Sequence, residues 1–278
     1  MALTVYSNIP SLNAQRNLNR TQAALNTNLA RLSSGLRINN ASDDAAGLAI
    51  SEKLKAQVRS LTVAERNAND GFSLLQTAEG AMNEISGVLV RMRELAVQAG
   101  NGTLGTTERT FLNDEFDSIR SEINRLATST QFNGKVLLTG GITNLRLGVG
   151  IGTTTNDQIL VSIVNMASAN LGSTAFLSTR SVTTITNALS AIGVIDAAIT
   201  DVSTARGAVG AIQNRLNITV ANLASARENL SAANSRISDA DVAEEAAALT
   251  RNNILMQAGI SVLAQANQAP ALMLSLLR

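Results

Sequence analysis

Residues 54–96 read LKAQVRSLTVAERNANDGFSLLQTAEGAMNEISGVLVRMRELA, and this stretch decides the fold. An apolar residue returns at every seventh position from Leu54 to Ala96, which is the repeat of a helix that packs lengthwise against another helix. The pattern predicts one long helix over residues 44–99. At 1.5 Å per residue this helix would be about 80 Å long, so it cannot be the interior of a small globule.

A second seven-residue repeat, rich in alanine, runs through residues 188–240. Small side chains let two helix axes come close together, so the two long segments can pack along each other as a coiled bundle. Gly71 falls on a core position of the first segment, where glycine costs about 1 kcal/mol relative to alanine. It is either a tolerated accident or, as we favour, a site of close backbone approach or slight bending. The predicted core positions are Gly71, Leu75, Met82, Leu89, Leu216, Leu223 and Leu230.

Shorter elements are predicted between the two long helices. Apolar residues at steps of three and four over residues 111–126 indicate an amphipathic helix that can lie on the pair. Alternation over residues 145–149 and 159–163, around a turn rich in Gly and Thr, indicates one β-hairpin. Residues 165–181 show little periodicity and many Ser, Thr and Asn, which is typical of an exposed connector.

Both chain ends carry a further seven-residue repeat and are predicted to be helices. Residues 1–42 have a net charge of +4 and residues 237–278 have −2, so opposite charge favours their pairing. Each exposed ion pair is worth only about 0.2 to 1 kcal/mol, so the apolar stripes must supply most of the affinity. A phase change at residues 239–241 predicts a joint. The apolar positions are Leu18, Leu25 and Leu32 in the first helix and Leu249, Met256 and Leu263 in the second.

Together these patterns predict a mainly α fold, in which long helices fold back into a coiled bundle with one small β-hairpin and paired terminal helices. The composition suits a thin rod, because no Trp, one Tyr and five Phe leave burial to Ala, Leu, Ile and Val. There is no His and no Cys, which removes the commonest general base, transition-metal ligand and thiolate nucleophile. We therefore expect no catalysis, no cofactor and no metal.

Charge and hydropathy argue against two further kinds of partner. The net charge is +1 and the N-terminal arginines stand apart without an aromatic platform, so we expect no nucleic-acid binding. Residues 252–277 carry no charge but many amides, so they lack the run of about 18 apolar residues that a membrane span needs.

The first fifteen residues contain no Lys or Arg and no long apolar run, so we expect no cleaved signal peptide.

Two pairs of adjacent carboxylates raise the possibility of a metal or acid–base site. Neighbouring residues on a helix do not face each other, so such pairs are poorly placed to share a ligand. We interpret Asp43 and Asp44 as a helix start, and Glu244 and Glu245 as part of a solvated face. Neither pair is predicted to hold a metal ion.

Ten short motifs are spread over both halves of the chain. The N-terminal motifs are LSSGLRIN at 32–39, DDAAG at 43–47, RNANDG at 66–71, RELAVQ at 93–98 and QFNG at 131–134. The C-terminal motifs are QNRL at 213–216, SRISDAD at 235–241, QAG at 257–259, SVLAQANQ at 261–268 and LSLLR at 274–278. In this order they make the chain resemble the bacterial flagellin family over nearly its whole length.

The resemblance implies a short flagellin, a structural subunit that is exported by the flagellar type III apparatus and polymerises into the extracellular flagellar filament. It implies an inner domain of residues 1–43 and 237–278 and a coiled-bundle and hairpin domain of residues 44–236. The short connector 165–181 would replace the outer domains of larger members. Implied partners are other copies of the chain, the export machinery and a chaperone, and the hook–filament junction and cap proteins.

The resemblance also implies a strip that contacts the host Toll-like receptor for flagellin, formed by Arg91, Leu95 and Glu122. In a filament this strip would lie between subunits, so receptor binding would be a property of the free monomer. The alternative is that Arg91 and Glu122 are solvated charges and that Leu95 belongs to a helix packing surface.

Three other functions compete with that of a filament subunit. A hook–filament junction protein shares the terminal helices, but the motifs at 66–98 and at the final residues favour a true flagellin. A cytosolic coiled-coil scaffold would explain the repeats and not the ordered motifs. An enzyme on the same scaffold would lack His, an HExxH motif and space in the connector.

Overall fold

Five α-helices and four short strands make up the described part of the chain. The computed structural model describes residues 7–172 and 176–276. The helices are α1 Ile9–Ser34, α2 Ala45–Ala99, α3 Thr106–Ser129, α4 Ile185–Ser238 and α5 Val242–Leu276. The strands are β1 Gln131–Phe132, β2 Lys135–Val136, β3 Leu145–Gly148 and β4 Gln158–Val161. The predicted mainly α fold is confirmed.

The chain divides into two compact units. The first unit contains the described residues of 1–58 and 228–278, and the second contains Arg59–Arg227. The first is therefore built from α1, α5 and the adjoining ends of α2 and α4, and the second from the remainder of α2 and α4 with α3 and the strands. The predicted domain limits, 1–43 with 237–278 and 44–236, remain a prediction.

The seven-residue repeats form the core of the second unit. On α2, the residues of the seven-residue repeat from Leu61 to Ala96 are at most 5% exposed. On α4, the repeat alanines Ala188, Ala191 and Ala198 are fully buried. Helices α2 and α4 run antiparallel, because the polar pairs between them step in opposite directions along the two helices. These pairs are Glu65 with Arg227 at 2.6 Å, Glu79 with Gln213 at 2.9 Å and Arg93 with Asp196 at 2.7 Å.

The predicted β-hairpin is confirmed, and a second, shorter hairpin accompanies it. Strands β3 and β4 pair antiparallel over four residues each. Strands β1 and β2 form the hairpin that was not predicted, with Asn133 and Gly134 at φ of 47° and 76° in its turn. An Asn-Gly pair favours this positive-φ turn, so the sequence carried a signal for the second hairpin.

Residues 165–181 are only partly exposed, so the prediction of an exposed connector is wrong in part. The side chains of Met166, Leu171 and Leu177 are at most 1% exposed and belong to the core of the second unit. Large apolar residues at irregular intervals anchor this segment, and a search for periodicity does not detect them. Residues 173–175, which include two of its hydroxyl side chains, lie outside the described residues.

Helix α4 is long and apolar enough to cross a membrane, judged by length and composition alone. The core helix of a soluble protein passes the same test, and the alanine stripe of α4 is buried within the second unit. Over residues 7–172 and 176–276, no other helix meets the test. Of the qualifying window of α4, 33% is buried, so its place in the core explains part of its apolar character.

Candidate assembly surfaces

Helices α1 and α5 pack side by side in the first unit and run antiparallel. Ser11, near the start of α1, donates its hydroxyl to Asn267 of α5 at 2.8 Å. Arg31, near the end of α1, is ion-paired with Glu245, near the start of α5, at 2.9 Å. Within the described parts of α1 and α5 this is the one ion pair between them, so opposite net charge contributes little. The predicted pairing of the terminal helices is confirmed.

The six predicted apolar residues of the end helices lie at the less exposed positions of this pair, which we call the terminal seam. Leu18 reaches the backbone of α5, where a Cβ added to Gly259 would lie 3.1 Å from Leu18 Cδ1. The six are therefore engaged within one chain, and their part in contacts between chains remains a prediction. Leu25 is buried, and Leu18, Leu32, Leu249, Met256 and Leu263 are half-buried.

A buried polar cluster fixes the register of the terminal seam. Asn28 of α1 is 8% exposed, donates its amide N–H to Glu245, and accepts from Asn252 at 2.8 Å. The bond from Asn28, assisted by Arg31, holds the pKa of Glu245 below its ordinary value although partial burial acts in the opposite direction. Because an amide in an apolar seam is satisfied in one alignment only, this cluster selects that alignment. The solvated face predicted for Glu245 is therefore wrong.

Large apolar side chains also point away from the terminal seam. They are 47–61% exposed in the single chain. Scattered exposed apolar residues are ordinary, but this many on one helix pair form a surface of the kind that marks protein–protein contact. We call them the outer apolar residues: Ile9, Leu12 and Leu29 on α1, and Ile254, Leu255, Ile260 and Val262 on α5.

A backbone clamp joins the end of α1 to the start of α5. Helix α1 ends at Gly35, whose φ of 70° lies in the left-handed region that favours glycine. The Gly35 carbonyl accepts from the Ala240 N–H at 3.0 Å, and the Arg37 N–H donates to the Ser238 carbonyl at 2.7 Å. Asp241 then caps the first turn of α5 with its carboxylate. The break between α4 and α5 thus coincides with the phase change in the repeat.

The acidic pair before α2 stabilises a turn. Asp43 accepts the backbone N–H groups of Asn39 and Asn40 at 3.1 and 3.0 Å, and these bonds hold its pKa below the ordinary value. Asp44 accepts the Gly47 N–H at 2.9 Å. These are the contacts of a helix start. No group of three or more His, Cys, Asp or Glu side chains suited to a metal ion occurs in the part of the chain that the structure describes.

The three residues of the predicted receptor strip do not form one exposed surface. Leu95 is 1% exposed and belongs to the core of the second unit, so its alternative interpretation as a packing residue applies. Arg91 is exposed and ion-paired with Glu115 of α3 at 2.8 Å. Glu122 is ion-paired with Arg125 at 2.5 Å. Of the three, Arg91 and Glu122 present charge to solvent, and each already has a partner within the chain.

Most of the predicted core positions are buried. Gly71 is buried too, and a Cβ there would collide with the Leu147 side chain of β3. The group that approaches the Gly71 backbone is thus a side chain, and the slight bend that the sequence also suggested remains a prediction. Leu75, Met82, Leu89 and Leu216 are fully buried, Leu223 is 8% exposed and Leu230 is half-buried.

Arg109, which was not predicted from the sequence, holds the turn between α2 and α3. Its guanidinium is nearly buried and donates to the carbonyls of Ala99 and Asn101, each at 2.9 Å. The Ala99 carbonyl stands at the C-terminal end of α2, where C=O groups lack helical partners and carry partial negative charge, and the Asn101 carbonyl lies in the turn that follows. No spacing rule connects an arginine to the helix before its own, so this contact could not be predicted from the sequence.

The β3–β4 loop is built around the carboxylate of Asp157, a role that was not predicted from the sequence. Asp157 accepts the Thr154 hydroxyl at 2.6 Å and the Thr154 N–H at 3.0 Å. These bonds, the hydroxyl first, hold the pKa of Asp157 below its ordinary value. Gly150 and Gly152 lie so close that a Cβ on either would collide with the Asp157 side chain. Glycine in this turn makes room for the carboxylate.

Comparison with known proteins identifies the family. Family models for the bacterial flagellin N-terminal and C-terminal helical regions match residues 5–143 and 192–277. Flagellin of Halalkalibacterium halodurans is 46% identical over 99% of this chain and 100% of that protein. Flagellar filament core protein flaB2 of Brachyspira hyodysenteriae is 42% identical over 95% of this chain and 96% of that protein. The crystal structure of Bacillus cereus flagellin is similar with a TM-score of 0.50 and 28% identity, over 57% of this chain and 88% of that one.

The matched regions contain the elements from which the assembly surfaces are built. Helices α1, α2, α3 and α5 and most of α4 fall within the two family models, and so do the terminal seam and the clamp beside it. The two relatives align with this chain from end to end, so the agreement is not confined to one domain. The chain therefore belongs to the bacterial flagellin family, the structural subunits of the flagellar filament.

Proposed function

We propose that the chain polymerises into the flagellar filament through the outer apolar residues, after the terminal seam has joined α1 to α5. The observation that carries this proposal is that the seam engages its six apolar residues within one chain, while Ile254, Leu255 and Ile260 remain 51–61% exposed. Burying one large apolar side chain contributes about 1.5–3 kcal/mol. Several such residues per copy, repeated in a helical array, would supply a strong and non-covalent assembly.

We infer that the role is mechanical and that the chain catalyses no reaction. The sequence has no His and no Cys. The acidic side chains with a lowered pKa serve as helix caps, turn anchors and ion-pair partners, which are structural tasks. Cofactors, nucleic acid and membranes have no part in the proposed role.

Export is proposed to use the flagellar type III apparatus and a chaperone, and growth is proposed to begin at the junction proteins under the cap proteins. The support is the family, together with the absence of cysteine from the sequence. A chain without disulfides has no covalent constraint that would oppose unfolding for passage and refolding afterwards. The filament subunit would then act outside the cell.

Recognition by a Toll-like receptor is proposed for the free monomer, with Arg91 and Glu122 as surface contacts. The side chains of Arg91 on α2 and Glu122 on α3 are 52% and 42% exposed. Leu95 would act indirectly, by holding α2 in the core. Alanine at Arg91 should weaken receptor signalling without changing the melting temperature, and unchanged signalling would remove Arg91 from the proposed contact.

Seeded elongation tests the assembly proposal. Purified monomer is added to short filament fragments, and growth is followed by light scattering and electron microscopy. The variant carrying Ile254→Ser and Ile260→Ser should elongate seeds far more slowly than the wild-type chain. Its matched control carries Leu160→Ser and Val164→Ser, two residues of the second unit that are 52% and 60% exposed.

Circular dichroism should show that both double variants keep the helical content of the wild type. Elongation of the Ile254 and Ile260 variant at the wild-type rate would contradict the proposed surface. A wild-type chain that binds seeds and stops growth would instead indicate a junction protein.

A further inference from the structure

The dipeptide Asn-Gly occurs twice in the sequence, at Asn101–Gly102 and at Asn133–Gly134. Both pairs lie in exposed turns, the first between α2 and α3 and the second between β1 and β2. In such a pair the side-chain amide can react with the next backbone nitrogen, because glycine has no side chain to obstruct the approach. The two turns therefore offer the same chemistry in two different backbone settings.

The side-chain amide of Asn101 is folded over the backbone that follows it. Asn101 Oδ1 accepts the Thr103 N–H at 3.2 Å. This bond closes a ring that contains the Gly102 peptide unit, so Asn101 Cγ lies beside the Gly102 nitrogen. The Gly102 N–H donates to no acceptor in the parts of the chain that the structure describes. The nitrogen that would attack Cγ is thus unengaged, and a donor already points at the oxygen on which negative charge would develop.

The backbone carbonyl of Asn101 is held by a cation. The nearly buried guanidinium of Arg109 donates to it at 2.9 Å. The Leu104 N–H donates to the same oxygen at 3.4 Å. Donors at a carbonyl oxygen draw electron density from its carbon and stabilise the negative charge that forms when water adds there. This carbonyl is therefore prepared for attack by water.

The second Asn-Gly pair is held in a different way. Phe132 and Lys135, on either side of it, are paired across the β1–β2 hairpin. Asn133 has a φ of 47° and Gly134 a φ of 76°, which is the conformation of a tight hairpin turn. No residue within 7–172 or 176–276 donates to the Asn133 side-chain carbonyl. Ring closure there would distort the turn, with no donor in place for the developing charge.

We propose that Asn101 is a site of spontaneous deamidation and that Arg109 directs the product toward isoaspartate. The Gly102 nitrogen loses its proton to water and forms a bond to Asn101 Cγ. The Cγ–Nδ2 bond breaks, and Nδ2 takes up a proton and leaves as ammonia. The result is a five-membered ring with two carbonyls, and the reaction needs no oxidant, reductant or enzyme. This inference does not depend on the proposed assembly surface.

Water then opens the ring at one of its two carbonyls. Attack at Cγ gives aspartate. Attack at the former backbone carbonyl of Asn101 gives isoaspartate, in which the main chain runs through Cγ. The second route turns the oxygen that Arg109 holds into a carboxylate oxygen. The guanidinium would then form an ion pair where it now forms a hydrogen bond, so the turn between α2 and α3 keeps its support.

Timed incubation of the full purified chain at mildly alkaline pH tests the site. Peptide mass spectrometry follows the replacement of NH₂ by OH separately at Asn101 and Asn133. Asn101 should convert about tenfold faster than Asn133, because one hydrogen bond to the developing charge is worth about that factor. The Gly102→Ala variant should slow conversion at Asn101 alone. A Cβ on Gly102 has no neighbouring atom within 4 Å, so this variant keeps the turn.

The same incubation in concentrated urea is the control for the effect of the fold. In the unfolded chain the two Asn-Gly pairs have lost their different settings, so they should convert at similar rates. Equal conversion of the two pairs in the folded chain overturns the assignment of Asn101. A difference that persists in urea, or a Gly102→Ala variant that converts as fast as the wild type, overturns it as well.

The ratio of the two products tests the role of Arg109. Labelling of the peptides with isoaspartyl methyltransferase measures the isoaspartate fraction at Asn101. This fraction should be higher in the folded wild type than in urea, lower in Arg109→Ala, and intermediate in Arg109→Lys, which keeps the charge without the planar fork. The control Arg125→Ala, which removes an exposed ion pair on α3, should leave the fraction unchanged. An equal fraction in the folded and the unfolded wild type overturns the role of Arg109.

Discussion

The substitutions Arg109→Ala and Arg109→Lys measure how much the Arg109 side chain contributes to stability by supporting the turn between α2 and α3. Its guanidinium, 7% exposed, donates to the Ala99 and Asn101 carbonyls at 2.9 Å. A hydrogen bond from a charged group contributes about 1.5–3 kcal/mol, and water can reach the freed carbonyls after truncation. We therefore take the lower value for each bond and expect Arg109→Ala to lower the free energy of unfolding by about 3 kcal/mol. Lysine keeps the charge but lacks the planar fork, so Arg109→Lys should lose about half as much.

Urea unfolding followed by far-ultraviolet circular dichroism measures this effect on the full chain. The matched control is Arg125→Ala, which removes an exposed ion pair on the same helix and should cause no measurable change. The dependence of the unfolding free energy on urea should stay constant across the set, because the surface exposed on unfolding is unchanged. If Arg109→Ala unfolds at the same urea concentration as Arg125→Ala, the assignment of Arg109 as the support of the turn is refuted.

Three further predictions concern a carboxylate, a glycine and a leucine. The pKa of Glu245 lies below its ordinary value of 4.5, so the folded chain binds this proton less readily than the unfolded chain. The melting temperature should therefore fall as the pH decreases below about 4.5, and it should fall less in the Glu245→Gln variant. An equal fall in both chains would contradict the role of Glu245. Gly150→Ala should lower the melting temperature, because its Cβ collides with Asp157, and an unchanged value would show that the loop adjusts freely. Leu95→Ala should cost about 2–5 kcal/mol of stability in urea unfolding, whereas Arg91→Ala should not change it, and equal stabilities would contradict the burial of Leu95.

The long helices could be predicted from the sequence because their repeats extend over many turns. The repeat predicted a helix over residues 44–99, and α2 spans Ala45–Ala99. The alanine-rich repeat likewise located α4, Ile185–Ser238. A periodic signal of this length averages out local exceptions such as Gly71. Each long helix also packs against another helix that has the same seven-residue period.

The individual contacts could not be predicted, because each joins residues that are distant in sequence. Asn28 binds Glu245, which is 217 residues away in the sequence, and nothing in the local pattern of either segment indicates a partner. The connector is held by buried residues without a period, such as Met166. Leu95 stands next to the core position Ala96 and is 1% exposed in the core of the second unit, although it does not fall on the seven-residue repeat.

The assembly surfaces, too, could be predicted from the sequence only in part. The repeats located the apolar residues of the end helices, but they could not say which ones the chain uses internally. That distinction depends on the alignment of α1 with α5, which the Asn28 cluster selects. Once the alignment is known, the outer apolar residues follow as those that point away from the seam.

The central claim is that each chain closes its own terminal seam and contacts its neighbours through the outer apolar residues. A helical reconstruction of the filament by electron cryomicroscopy, at a resolution that shows side chains, tests it most directly. The claim predicts that Arg31 and Glu245 of the same chain remain paired, and that Ile254, Leu255 and Ile260 are buried between subunits. A filament in which Glu245 pairs with Arg31 of a neighbouring chain, or in which those three side chains face solvent, would contradict it.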